Sequence, residues 1–280
     1  MAKEETIVRK PKTMMQKGRI LNCIPSRETH KDWRFRHAVG AGDISDPEKG
    51  GSIPKSKDLR ENWWDIGNQE ETGSCVGWAT ADSVLRWHFV KARRLAKDTK
   101  LSVRFIWMSA KETDEYNDYP STFLELEGTS LKAALDIARN YGSVEESVLP
   151  FQPEKLYDGE PETFLAKASR FKILKYVNMS NNENELPDWD KVRAWIANKG
   201  PILTRLDVDE TWFENEAGAL DVYKNPYNAG HAVAIVGYTP DTFIIRNSWG
   251  TDWGDGGYGH ASLEYAKDAF TEAYGITIIP

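Results

Sequence analysis

The order of helical and strand-like segments predicts an α+β protein of two lobes. Between residues 75 and 198, apolar residues recur at three- and four-residue steps, which is the spacing of amphipathic helices. Short runs rich in β-branched residues follow between residues 202 and 279. Because the helices come first and the antiparallel strands second, we expect a helical lobe and a separate β lobe.

Individual elements can be placed along this pattern. The helical spacing occurs in three segments: residues 75–97, 131–141 and 190–198. Strands are predicted for four runs: residues 202–208, 232–238, 243–246 and 276–279.

The composition argues against several classes of protein. A content of 40% apolar and 28% charged residues is that of an ordinary globular chain. The net charge of −7 argues against a nucleic-acid-binding body. No stretch approaches 18 consecutive apolar residues, so we expect no membrane partner. We expect no cofactor and no metal, because the acidic residues between 112 and 127 lack compact ligand spacing.

The start of the chain and its cysteines predict a cytoplasmic protein. Residues 1–10 contain no apolar core of a secretory signal. Two cysteines, Cys23 and Cys75, do not suggest a disulfide framework. The two could pair, but a reducing cytoplasm is the simpler setting. Cys23 taken alone is expected to be a small buried apolar residue.

Residues 1–52 are predicted to form an N-terminal extension, because they are polar and rich in turn-forming residues. Residues 1–50 carry 11 Lys and Arg against 7 Asp and Glu, which leaves 25 against 36 for the rest. This basic extension could dock on the acidic body as a pro-segment or regulatory arm. A solvated tail is the alternative.

Cys75 is the candidate nucleophile. It begins the first predicted helix, where unpaired N–H groups and the helix dipole favour a thiolate. Gln69 lies six residues upstream, and its amide could donate, together with the Cys75 N–H, to a developing oxyanion.

His231 and Asn247 are the candidate partners of the thiol. The turn-forming sequence Thr-Pro-Asp at residues 239–241 separates two predicted strands, so these strands are expected to form a hairpin. The midpoint between positions 231 and 247 is 239, which would place His231 roughly opposite Asn247. His231 could then exchange a proton with Cys75, and Asn247 could orient the ring.

These three segments together resemble the papain-like family of cysteine peptidases. Residues 68–75 look like the nucleophile segment, residues 230–238 like the histidine segment and residues 245–254 like the asparagine segment. Two departures are Val76, where an aromatic residue is usual, and Thr72, where the cysteine of a neighbouring disulfide would lie. The resemblance is therefore to a microbial type without disulfides.

The resemblance implies a papain-like two-lobe fold with an active-site cleft between the lobes. The peptidase domain would span residues 53–280, with the similarity ending near residue 261. Its helical lobe would cover about residues 75–165, and its β lobe about residues 166–261 together with the N-terminal strand region. The extension could lie over the cleft.

The resemblance also implies substrate-binding positions. Gly128 and Thr129 stand where the family has a glycine pair that binds substrate backbone. The remaining candidates lie in the β lobe: Ala229, Gly230, Arg205 and Trp249. We hypothesise that Arg205 favours an acidic or polar side chain two residues before the cleaved bond, with plain surface exposure as the alternative.

The resulting prediction is a cysteine endopeptidase that acts on protein or peptide substrates. Cys75 would form a thioacyl-enzyme, and His231 would act as general acid and base. Two alternatives remain open: a catalytically silent peptidase-like binding protein, and an acyl transferase (transpeptidase or amidase) that uses the same thiolate.

Overall fold

The predicted α+β architecture is confirmed. The computed structural model describes residues 14–16, 18–47, 53–114, 120–152, 157–180, 186–215 and 217–279. In these ranges, helices dominate the first half of the chain and one large, mostly antiparallel sheet the second.

The helices of the described ranges include the three predicted ones and several that were not predicted. They are α1 (Phe35–Gly40), α2 (Cys75–Gly77), α3 (Arg86–Lys91), α4 (Val103–Thr113), α5 (Leu131–Asn140), α6 (Pro161–Ser169), α7 (Trp189–Asn198) and α8 (Leu263–Ala269). A π-helical segment, Trp78–Leu85, joins α2 to α3. The segments predicted at residues 131–141 and 190–198 correspond to α5 and α7.

The first predicted helix ends earlier than its apolar spacing suggests. The helix stops at Lys91 and not near residue 97. Arg93 adopts a left-handed conformation, with φ of 61°, which cannot continue the helix. Leu95 lies beyond this turn and is still buried, so the apolar spacing continues where the helix does not.

Strands β4 to β10 form the large sheet. The strands are β1 (Met14–Gln16), β2 (Arg19–Leu21), β3 (Lys57–Asp58), β4 (Ile173–Asn178), β5 (Ile202–Asp207), β6 (Ala219–Leu220), β7 (Gly230–Tyr238), β8 (Thr242–Arg246), β9 (Tyr258–Ser262) and β10 (Phe270–Ile278). The order in the sheet is β4-β10-β5-β7-β8-β9-β6, and β3 pairs with β7. Because β10 lies between β4 and β5, the β lobe continues past residue 261, where the resemblance placed its end.

The predicted hairpin is present, but its register differs from the prediction. Strands β7 and β8 pair antiparallel, with a shift of register between Ile235 and Gly237. Beyond the shift, Ala234 faces Arg246, so continuing the pairing would place Asn247 opposite Val233 and not opposite His231. The difference comes from the turn, because Tyr238 faces Phe243 and the hairpin is therefore centred between residues 240 and 241 and not at the predicted 239.

A buried ion-pair network joins the helix after Cys75 to β8. Asp82 accepts hydrogen bonds from Arg86 at 3.2 Å and from Arg246 at 2.7 Å, and none of the three side chains is more than 2% exposed. Arg246 also donates to the hydroxyl of Ser83 at 2.6 Å. The network therefore holds the end of β8 against the helix.

Part of the N-terminal extension belongs to the core, which its polar composition did not predict. We call residues 29–44 the anchor segment. Phe35 of this segment packs edge-on against Trp195, with 6.5 Å between ring centroids, and Arg34 pairs with Asn178 at the end of β4. The buried apolar side chains of the extension are those of Ile20, Leu21, Cys23, Ile24, Phe35, Ala38 and Ile44.

Both cysteines are free, in agreement with the prediction of a chain without a disulfide framework. In the described ranges, no helix combines the length and the apolar character needed to cross a bilayer.

Replacing Asp82 is expected to destabilise the protein strongly. In Asp82→Ala, the buried guanidinium of Arg246 loses its carboxylate and that of Arg86 keeps only the half-exposed Asp65, which should cost about 3–5 kcal/mol of unfolding free energy. Urea denaturation would measure this change. Asp65→Ala is the matched control, because Asp65 also pairs with Arg86 but its side chain is 53% exposed. The control should cost below about 1 kcal/mol. Equal losses in the two variants would contradict the importance of the buried network.

Candidate active site

Cys75 lies at the first position of α2, and its side chain is fully buried. The N–H groups of the first helical turn favour a negative charge on its sulfur. The pKa of Cys75 lies well below its ordinary value. The first cause is a hydrogen bond from the thiol of Cys23, and the imidazole of His231 and the N–H of Ala232 add to it, against the effect of burial.

The His231 ring lies between the thiol and an amide. Its Nε2 is 2.8 Å from Oδ1 of Asn247, and this oxygen also accepts the N–H of Ser248 at 2.8 Å. Because Oδ1 is an acceptor, Nε2 carries the ring proton in the neutral form. The other nitrogen, Nδ1, has no nitrogen or oxygen partner in the described part of the chain. It is therefore the nitrogen available to Cys75.

The side chains of His231 and Asn247 meet although their backbone positions are not opposite each other. Diagonal positions across two strands are about 7–8 Å apart at Cα, which leaves the side chains within reach. The contact between these two side chains was predicted, but from a register in which the two residues lie opposite each other. The hairpin has a different register.

Two tryptophans enclose this contact. The ring of Trp249 lies 5.0 Å from that of His231, and the ring of Trp212 lies 5.8 Å from it, measured between centroids. Both indoles are buried. They keep water away from the hydrogen bond between His231 and Asn247, which strengthens it. Trp249 was a sequence candidate, whereas Trp212 was missed.

Gln69 is buried and held at both ends of its amide. Its Oε1 accepts the hydroxyl of Ser248 at 2.9 Å, and its Nε2 donates to the carbonyl of Thr72 at 3.0 Å. The Gln69 N–H also donates to the Ser248 carbonyl at 2.8 Å. Ser248 therefore links the loop before Cys75 to the loop after β8, a role that the sequence analysis missed.

A segment of the extension passes directly through this site. We call residues 18–24 the cleft segment. The N–H of Cys23 donates to the carbonyl of Gly230 at 2.9 Å, and the N–H of Ile24 donates to the carbonyl of Thr129 at 3.2 Å. The carbonyl of Ile20 lies 3.5 Å from Nε2 of Gln69. The cleft segment thus contacts both walls of the site.

The two candidate glycines allow this close approach. A Cβ atom on Gly128 would lie 2.2 Å from the carbonyl oxygen of Asn22, and one on Gly230 would lie 2.0 Å from that of Cys23. Neither position could carry a side chain without moving the cleft segment. Ala229, next to Gly230, is buried, and its carbonyl accepts the N–H of Val208 at 2.9 Å.

Arg205 is buried, so the alternative expectation of plain surface exposure is wrong. It is 4% exposed. Its Nε donates to the carbonyl of Cys23 at 3.0 Å, and its other nitrogens donate to Thr271 at 2.6 Å and to Asp207 at 2.8 Å. Arg205 therefore contacts the cleft segment directly and already has an anionic partner.

The other end of the cleft segment rests on Trp249. The guanidinium of Arg19 lies 5.6 Å from the centre of the Trp249 ring, and it donates to the Trp249 carbonyl at 3.0 Å. It also donates to Oδ1 of Asn68 at 2.8 Å. Arg19 was not predicted as a site residue, because its partners are far away along the chain.

The structure brings the sequence candidates into one region. The side chains of Cys75, His231 and Asn247 form a chain of contacts, and Gln69 is joined to them through Ser248. The cleft segment contacts the substrate-binding candidates Gly128, Thr129, Gly230, Arg205 and Trp249. Cys23 was missed as a site residue, and the one available signal was that the sequence contains a single cysteine besides Cys75.

In the described ranges, no group of three or more His, Cys, Asp or Glu side chains could hold a metal ion. Part of the acidic stretch between residues 112 and 127, namely residues 115–119, lies outside those ranges.

The fold and this site define a papain-like cysteine peptidase architecture. The family model described as papain family cysteine protease matches residues 53–275, which is more than half of the chain. The chain therefore belongs to the papain family of cysteine proteases.

Curated relatives are similar at low identity. Cysteine proteinase 1 of Dictyostelium discoideum is 27% identical over 241 residues, which are 82% of this chain and 66% of that protein. Cathepsin J of Mus musculus is 29% identical over 228 residues, which are 77% of this chain and 61% of that protein. The chain thus spans about two thirds or less of the length of these relatives.

Solved structures share the fold. Xylellain, a cysteine protease from Xylella fastidiosa, has a TM-score of 0.72 at 19% identity, covering 96% of this chain and 100% of that one. Digestive procathepsin L 3 of Tenebrio molitor larval midgut has a TM-score of 0.63 at 19% identity, covering 82% and 71%. A procathepsin B of Trypanosoma congolense has 0.65 at 15% identity, covering 91% and 85%. These likenesses confirm the predicted papain-like two-lobe fold.

Proposed function

We propose that this chain is a cysteine endopeptidase that hydrolyses peptide bonds of protein or peptide substrates through a thioacyl-enzyme at Cys75. The proposal depends above all on one arrangement. The His231 ring, held at Nε2 by Asn247, leaves Nδ1 available to a cysteine with a lowered pKa.

In the acylation step, the Cys75 thiolate attacks the carbonyl carbon of the scissile peptide bond. A bond forms between carbon and sulfur, and the bond between carbon and nitrogen breaks. His231, as imidazolium, gives its Nδ1 proton to the leaving amine. Asn247 keeps Nε2–H engaged, so the ring stays in the orientation that this transfer needs.

The oxyanion of this step would be stabilised by two N–H donors, the backbone N–H of Cys75 and Nε2 of Gln69. One such donor is worth roughly 3 kcal/mol of transition-state stabilisation. Ser248 acts as a positioning residue, because its hydroxyl donates to the other end of the Gln69 amide.

In the deacylation step, water attacks the thioester carbon. His231 accepts a proton from this water, the bond to sulfur breaks, and the acid product leaves. In an acyl transferase, an amine would replace water at this point, and no contact described above favours an amine over water.

A cleavage-site profile of a peptide library would test the proposal. Wild type should cleave the library, and Cys75→Ala should lose on the order of 10⁶-fold in kcat. Gln69→Ala should lose on the order of 10² to 10³-fold, mainly in kcat. His260→Ala is a matched control for His231→Ala, because the side chain of His260 bonds to Asp255 near the surface, away from Cys75.

Three results would contradict the proposal in different ways. Equal cleavage by wild type and Cys75→Ala would exclude Cys75 as the nucleophile. Labelling of Cys75 by a peptidyl epoxide without any turnover would indicate a silent binding protein. Products that carry an added amine instead of a free acid would indicate acyl transfer.

We also propose that the extension inhibits the enzyme by occupying the cleft. The cleft segment bonds to Gly230, Thr129 and Gln69, which a substrate in the proposed mechanism would contact. Two similar solved structures are procathepsins. Inhibition of this kind would make the extension a pro-segment or regulatory arm.

Removing residues 1–24 is expected to raise kcat/KM on a small peptide substrate, because the walls of the cleft become free. The anchor segment is kept, since Phe35 and Ala38 belong to the core. His30→Ala, at an exposed position of the extension, is the control and should leave the rate as in wild type. An unchanged rate in the truncated chain, with the same thermal midpoint, would exclude inhibition by the cleft segment.

The hypothesis for Arg205 stays a prediction. Once Cys23 leaves the cleft, Nε of Arg205 is free to bind an acceptor of the substrate. An acidic or polar side chain should therefore be favoured two residues before the cleaved bond. In the same peptide library, Arg205→Ala should lose this preference. Asp207→Asn is the matched variant, because it removes the anionic partner of Arg205 and should strengthen the preference. A preference for Leu or Phe that Arg205→Ala leaves unchanged would contradict the hypothesis.

We propose a cytoplasmic location as well, because a free nucleophilic thiol suits a reducing compartment. Cell fractionation followed by immunodetection would check it.

A further inference from the structure

The other cysteine of the chain, Cys23, lies beside the candidate nucleophile. The sequence contains two cysteines. Cys23 in the cleft segment and Cys75 in α2 are both fully buried, and each thiol is close enough to shift the pKa of the other. Both are free thiols. A disulfide requires two cysteine side chains that lie side by side.

The main chain fixes Cys23 at this place. Its N–H donates to the carbonyl of Gly230 at 2.9 Å, and its carbonyl accepts Nε of Arg205 at 3.0 Å. Gly230 directly precedes His231, so the backbone of Cys23 is tied to the element that carries the imidazole. The backbone of Cys23 is therefore held beside the partner of Cys75.

The two thiols differ in charge. Burial, followed by the hydrogen bond to Cys75, raises the pKa of Cys23 well above its ordinary value. The pKa of Cys75 is instead well below its own. In the reduced state, Cys75 is therefore the thiolate and Cys23 the protonated donor. A thiolate is the form that reacts with oxidants, and a neighbouring thiol can resolve the product.

We propose that Cys23 and Cys75 form a reversible disulfide that locks the cleft segment onto the nucleophile. The inference rests on the proposed function, because the bond matters only if Cys75 is the nucleophile of that reaction. It adds a covalent, redox-controlled site to an extension that otherwise blocks the cleft through non-covalent contacts.

The oxidant is a hydroperoxide, which reaches the thiolate when the cleft segment lifts. The Cys75 sulfur attacks one peroxide oxygen, the bond between the oxygens breaks, and the leaving alkoxide or hydroxide takes the proton held by His231. The resulting sulfenic acid carries an S–OH group.

The second step closes the disulfide. The Cys23 sulfur attacks the Cys75 sulfur, the S–S bond forms, and the S–O bond breaks. The hydroxyl leaves as water with the Cys23 proton. Two electrons have then passed from the thiols to the peroxide. A dithiol reductant returns two electrons and two protons by thiol–disulfide exchange and restores both thiols.

The full-length chain is the sample for the test. It is incubated with hydrogen peroxide, denatured, and its free thiols are titrated. We expect both thiols to be lost while the chain stays monomeric, with an intact mass lower by two hydrogens. A non-reducing digest should contain one peptide pair joining residues 23 and 75. Dithiothreitol should restore both thiols, together with activity on a small peptide substrate.

Other outcomes would overturn the proposal. The first is the formation of disulfide-linked dimers, and the second is a sulfinic acid at Cys75 with Cys23 still free. The third is two intact thiols in the chain under conditions that fully oxidise a separate peptide with a free cysteine. Cys23→Ser is the matched variant. It should form no internal bond and should pass on to the sulfinic acid, which dithiothreitol does not reverse.

The covalent measurement is independent of catalysis. A chain that forms the linked peptide pair but never cleaves the peptide library would refute the proposed function and keep the disulfide. A chain that cleaves the library but forms no such pair would refute the disulfide alone.

Discussion

The buried carboxylate of Asp82 is the interaction on which the geometry of the active site depends. Asp82 lies on the same continuous helix as Cys75, and it binds Arg246, the residue before Asn247. Buried charges are tolerated only when they are paired, so the helix and β8 have one relative position that satisfies them. The thiol comes from the helix and the imidazole from β7, and no local contact within either element would fix their separation. The network therefore fixes the separation of thiol and imidazole indirectly, because it holds the end of the hairpin that carries both His231 and Asn247.

The cleft is built to bind an extended main chain. Gly128 and Gly230 lack side chains at the two places where another backbone comes closest, and carbonyls on either side accept N–H groups from the cleft segment. This arrangement does not select a sequence, because every residue except proline offers the same N–H group. The chain's own extension can therefore use the acceptors that a peptide substrate would use, and selectivity must come from side chains such as Arg205.

The sequence predicted the parts of the site that depend on local pattern. Cys75 begins a helix with clear apolar spacing, and His231 and Asn247 belong to one hairpin with an evident turn. The predicted register of that hairpin was wrong, because Tyr238 faces Phe243 and the turn is therefore centred between residues 240 and 241, not at 239. The contacts of Cys23 and of Ser248 were also out of reach. Each joins segments that are far apart along the chain, and no periodic pattern connects such segments.

If both proposals hold, the position of Cys23 would give the extension two distinct ways to block the cleft. In the reduced chain, a substrate and the cleft segment would compete for the same carbonyls of Gly230 and Thr129. The segment is tethered and so acts at a fixed effective concentration, which enough substrate can overcome. With a bond between Cys23 and Cys75, competition ends, because the attacking sulfur itself is consumed and no substrate concentration restores it. A higher substrate concentration would then relieve the non-covalent block, and a reductant would relieve the covalent block. Both controls would act through the cleft segment, next to the sulfur where the proposed chemistry begins.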